Sequence, residues 1–164
     1  MALKTWKPLI LLGLIIPITF FSCKKSTLAT LLNQGTNKTS VMDTLHFKGT
    51  MSGSNATPPN NSPAAGTVNA YYNTQTKIMT YTLTWSNLTN APFAMHFHEG
   101  PIGVSGQVLF GIPDFPSQVT DSVSGTTSAW TVFEDSALMV GDVYANIHTS
   151  TYPAGEIRGQ LVKQ

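Results

Sequence analysis

From residue 41 onward apolar and polar positions alternate in short runs, with the period of two that marks half-buried strands. The clearest run is 77–85, where Met79, Tyr81, Leu83 and Trp85 alternate with Ile78, Thr80, Thr82 and Thr84. One face of that strand is expected to be buried and the other wet. Residues 67–72 carry a similar pattern. Asn73-Thr74-Gln75-Thr76 separates the two runs, which reads as a hairpin. Further strands are expected at 45–51, 93–98, 107–110, 142–148 and 156–162. A second hairpin is expected across 117–132, turning at Ser124-Gly125. Residues 133–139 read as a single helical turn. Residues 53–66 hold Pro58, Pro59, Pro63 and Gly66 and read as a loop. About seven to eight short strands with regular turn signals predict an all-β, Greek-key-like antiparallel β-sandwich over 41–164.

The first 40 residues follow different patterns. Lys4 and Lys7 precede an almost wholly apolar run, 9–21, which is shorter than the roughly 20 residues a membrane span needs. A positive start, a short apolar stretch and a small residue, Ser22, predict a signal peptide over 1–22. Cys23 follows directly and is the sole cysteine in the chain, so no internal disulfide forms. The segment resembles a bacterial lipobox, with Phe20 and Phe21 in place of the more usual residues. It implies lipidation of Cys23, which gives the thiol a role and the chain a durable membrane anchor. Residues 23–40, rich in Thr, Ser, Asn and Lys, read as a lipidated flexible tether, with a short helix expected near Leu28. Lys24 and Lys25 leave no acidic stretch after the cysteine, which favours the periplasmic side. The expected location is the cell envelope, periplasmic or outer-membrane associated.

Charge narrows the partners. Of nine Lys and Arg residues two lie in the first 22, so the remainder is nearly balanced by eight Asp and Glu. No basic patch appears, and nucleic acid is not an expected partner. A membrane partner through the lipid, and a protein or glycan ligand of unspecified identity, fit the composition.

Three segments share one pattern. The first is Met51-Ser52-Gly53 with Pro58-Pro59 and Ala65-Gly66; the second is His96-Phe97-His98-Glu99-Gly100-Pro101 with Gly103 and Gly106. The third runs from Gly141-Asp142-Val143-Tyr144-Ala145-Asn146-Ile147-His148-Thr149 through Tyr152-Pro153 to Gly155-Glu156-Ile157-Arg158-Gly159-Gln160-Leu161. Together they resemble the CHRD domain, found in chordin and in bacterial exported proteins. The resemblance covers residues 45–162. Ala56 stands where the pattern usually carries an acid before the Pro-Pro pair. The resemblance implies an extracytoplasmic, non-enzymatic binding or structural module.

His96 and His98 lie two apart on an expected strand and therefore share a face. His148, on another strand, is the candidate third ligand of a copper or zinc site with an open position. His46 is a further candidate that nothing in the sequence places nearby. The His-x-His is locally similar to part of the copper site of Cu/Zn superoxide dismutases, without a histidine-rich zinc loop or a disulfide pair. The alternative is a structural polar cluster in which the imidazoles bond loop carbonyls, Glu99 or Glu156. Glu156 and Arg158, also two apart, read either as an ion pair pinning the last strand or as a support that orients a histidine. Gly100, Gly103 and Gly106 read as turn residues at positive φ. Tyr71, Tyr72, Tyr81, Trp85 and Trp130 are expected in the core or on a half-buried sheet. No Ser-His-Asp order, nucleophile elbow or carboxylate pair suggests an enzyme.

Overall fold

The computed structural model describes residues 43–164. The expected signal peptide, Cys23, the tether and the helix near Leu28 lie outside the described residues. In chain order the elements are β1 (Thr44–Ser52), a 3-10 turn (Gly53–Asn55), β2 (Ala65–Asn73), β3 (Met79–Ser86), β4 (Pro92–Glu99) and β5 (Val108–Gly111). They continue with β6 (Asp121–Thr126), α1 (Val132–Val140), β7 (Val143–Thr149), β8 (Ile157–Gln160) and β9 (Val162–Lys163). The fold is all-β apart from one short helix, and every strand pairing is antiparallel.

The hydrogen-bonded order is β5-β4-β7-β8-β1-β2-β3-β6, with β9 added on β1. The layers are thus two halves of one curled sheet. Their junction is narrow: β1 and β8 are registered only at Ser52↔Arg158. The inner faces meet through aromatic side chains. Tyr81 of β3 packs edge-on against Phe97 of β4 at 5.1 Å and Phe110 of β5 at 6.2 Å between ring centroids. Chain crossings from β3 to β4, β5 to β6 and β6 to β7 give the order its Greek-key-like character.

The β2–β3 hairpin forms as its alternation predicts, with Met79, Tyr81, Leu83 and Trp85 buried. Tyr72 and Trp130 are also buried, whereas Tyr71 is about half exposed and stacks on His46. The expected second hairpin does not form. Ser124 and Gly125 lie inside β6, opposite Thr82 and Tyr81. Gly125 makes room for the Tyr81 hydroxyl, 2.6 Å from where a Cβ would stand, so a close approach explains the glycine that reads as a turn.

The expected helical turn at 133–139 extends to nine residues. Thr131 and Glu134 form a reciprocal capping box, and Gly141 ends the helix in the left-handed region at φ 85°. Asp135 ties α1 to the sheet by accepting from the Tyr72 hydroxyl and the Lys77 ammonium, both at 2.8 Å. The Lys77 hydrogen bond, foremost, holds the Asp135 carboxyl below its ordinary value, while burial and then the Asp135 contact push the Tyr72 phenol up. Lys77 is 40 % exposed, so water weakens the pair. Asp135→Asn is expected to cost about 1 kcal/mol at neutral pH. A carboxyl with a lowered folded pKa stabilises above its unfolded pKa and loses that contribution as pH falls through the folded value. Urea denaturation at stepped pH should therefore show the gap between wild type and variant closing below about pH 4.

Candidate metal centre

The site lies on the outer face of β4, β7 and β8. Along β4, Met95 and Phe97 point into the core, which leaves His96 and His98 on the other side. On β7, Val143, Ala145 and Ile147 face the core, and Tyr144, Asn146 and His148 face outward. Strand register sets the outward side chains in rows. His96, Asn146 and Arg158 form one row across the three strands; His98, Tyr144 and Gln160 form the next. His148 extends β7 by one more pleat. This outer face is not wet: Tyr144, Asn146, His98 and Arg158 are all buried. Alternation in the sequence shows which residues share the face. It does not show that loops close over it.

His96, His98 and His148 come together as expected. One ligating atom from each lies within 4.8 Å of the others. His96 Nδ1 and His148 Nε2 are 3.2 Å apart. His98 Nδ1 is 3.1 Å from the Gly106 carbonyl, and His148 Nδ1 is 3.0 Å from the Pro153 carbonyl. A carbonyl only accepts, so both Nδ1 atoms carry the proton, and in the neutral rings both Nε2 atoms present a lone pair. His148 Nε2 then accepts from His96 Nδ1. His98 Nε2 is buried without a protein partner. Burial, chiefly, then the neighbouring imidazoles lower the His96 pKa. Burial outweighs the Gly106 bond and lowers that of His98 too, so both rings favour the neutral, ligating form.

The other expected contacts differ. The cluster bonds neither Glu99 nor Glu156. His46 is elsewhere, with Nε2 at 2.5 Å from Asn69 Oδ1. Glu156 and Arg158 do not pair. Glu156 stands before β8 begins, so strand alternation does not govern its direction. Its fully buried carboxylate accepts from Ser62 Oγ at 2.6 Å, Thr89 N at 2.8 Å, Thr89 Oγ1 at 3.0 Å and Thr149 Oγ1 at 2.6 Å. It therefore holds the residue next to His148.

Arg158 is 2 % exposed and lies over the Tyr144 ring, 3.5 Å from its centroid. It donates to Thr57 Oγ1 at 2.8 Å, to the Val104 and Pro101 carbonyls at 2.9 and 2.8 Å, and to Gln160 Oε1 at 3.1 Å. These bonds hold the 100–106 loop, whose Gly106 carbonyl orients His98. Gly106, unlike Gly100 and Gly103, is not at positive φ; it is a glycine because a Cβ there would run into the Glu99 carbonyl. Sequence reasoning overlooked Tyr144 and Asn146 as parts of the site; their places at 144 and 146, in step with His148, were the available signal.

Among known proteins, a family model described as the CHRD domain matches residues 47–161. No curated protein and no solved structure matches the chain significantly.

Glu156→Gln is expected to lower stability by about 2 kcal/mol, the scale of a lost hydrogen-bonded charge. Urea titration monitored by near-ultraviolet circular dichroism measures it, and an unchanged midpoint would contradict the role assigned to this carboxylate.

Proposed function

The chain belongs to the CHRD domain family, and on that footing we propose that it is a lipid-anchored, extracytoplasmic module that binds one copper or zinc ion through His96, His98 and His148. The family supports an extracellular-type binding or structural module. No helix among the described residues is long and apolar enough to cross a membrane. The N-terminal pattern and the position of Cys23 support an anchor made by lipid.

One observation carries the metal reading: His98 Nε2 is buried without a protein partner, in a ring whose centroid lies 5.3 and 6.2 Å from those of His96 and His148. An unpaired buried polar group is costly, and an ion bound by His98 Nε2 would offset that cost. The carbonyl bonds to His98 and His148 are the kind that fix tautomer and ring orientation in metal-ligating histidines. Zn–N bonds of about 2.0–2.1 Å place tetrahedral ligands roughly 3.3–3.4 Å apart, close to the 3.2 Å between His96 Nδ1 and His148 Nε2. Neutral imidazoles suit both copper and zinc.

Calorimetric titration of copper and zinc into residues 40–164, which carry the buried core found among the described residues, tests the reading. The expected result is one ion per chain, with His148→Ala weakening affinity more than the roughly 10- to 100-fold typical of outer-sphere changes. The His96→Ala/His98→Ala variant should bind none. Absence of uptake by the folded wild type would leave the imidazoles as a structural cluster. For the anchor, Cys23→Ser is expected to move the protein from the membrane fraction to the soluble envelope fraction; retention in the membrane would contradict lipidation.

A further inference from the structure

A cavity of about 140 Å³ adjoins the imidazole cluster. His98, His148, Tyr144, Asn146, Arg158 and Thr57 are among its lining residues, and no carboxylate lines it. Three features make it more than a packing gap. Its two histidines belong to the cluster. Asn146 is 6 % exposed, and its Oδ1 has no partner, while its Nδ2 is committed to the Ala154 carbonyl at 3.4 Å. Arg158 supplies a buried positive charge that no carboxylate neutralises: the sole salt bridge among the described residues is Lys77 with Asp135. Glu156, two residues away, turns its carboxylate to three hydroxyls and a backbone amide.

From this arrangement we propose that the ion's fourth coordination position opens into the cavity and exchanges a bound water for a small anion. The proposal rests on the metal reading above. Three protein ligands leave a tetrahedral ion one position. All three are neutral imidazoles, so the ion keeps its full charge, and Arg158 adds another beside it. A low-dielectric setting screens these charges little. A water on the ion has protons to donate, and Asn146 Oδ1 is the buried acceptor that lacks a donor. Asn146 sits opposite His96 in the strand register, in the row that ends at Arg158. Asn146 positions the water, and Arg158 selects for negative charge in what replaces it. The volume is ample for a ligand of a few atoms, since a single water needs only about 10–15 Å³ of such space.

Azide titrated into the copper(II)-loaded protein, followed by visible absorption and electron paramagnetic resonance, tests the proposal. The expected result is a saturable new charge-transfer band with a shifted copper signal. Arg158→Gln should weaken azide about tenfold, read on protein saturated with copper because the substitution also loosens the loop that orients His98. Asn146→Asp, nearly the same size, places a negative charge in the cavity and should suppress azide binding even if Arg158→Gln fails to fold. A copper spectrum indifferent to azide would overturn the open position while leaving the metal reading intact. Azide affinity unchanged in both variants would overturn the roles of Arg158 and Asn146. Failure of the wild type to take up copper would overturn both readings.

Discussion

A buried guanidinium has to be satisfied on every side, and the polar face of this domain is organised around the way Arg158 meets that demand. Its donors end on Thr57, Gln160 and the carbonyls of the 100–106 loop, and its plane lies over Tyr144. A cation so placed is stabilised by dipoles and a π face instead of an opposite charge. The geometric consequence reaches the site. Because the guanidinium holds the loop against β7 and β8, the Gly106 carbonyl lies within reach of His98.

Glu156 solves the opposite problem in the same way. Its carboxylate is fully buried and takes four hydrogen bonds from hydroxyls and one backbone amide, drawing together the 62 and 89 loops and the end of β7. Thr149, one of its donors, is next to His148. The two buried charges of the last segment therefore act on different histidines through different loops. Such buried charges are weak evidence for stability. Here they fix positions: one fixes the His98 side of the cluster and the other the His148 side.

The parts of the fold that were legible in the sequence are those where one face is wet. The β2–β3 hairpin alternates because Thr80, Thr82 and Thr84 meet water while Tyr81 and Leu83 meet the core. The same rule placed His96 and His98 on one face. It failed where burial is two-sided or where the backbone bends. β7 is buried on both faces because loops cover its outer side, and alternation alone did not mark Tyr144 and Asn146 as parts of the site. Glu156 lies just outside β8, so the two-residue spacing that suggested a pair with Arg158 had no strand to act on. Gly125 looked like a turn because a glycine required by the Tyr81 hydroxyl is indistinguishable, in sequence, from one required by φ. Backbone carbonyls supply the bonds that orient the histidines, and side-chain patterns do not report them.

The cluster's tautomers carry the central claim, and nitrogen-15 NMR of the imidazoles reads them directly. In the zinc-free protein all three rings should carry the proton on Nδ1: His98 and His148 because a carbonyl accepts it, and His96 because His148 Nε2 does. Zinc should move His96 alone to the Nε2–H tautomer, freeing its Nδ1 to ligate, and should shift Nε2 of His98 and His148. Spectra that zinc leaves unchanged, or an Nε2–H proton on His98 or His148, would contradict an account in which backbone carbonyls hold these rings ready for an ion.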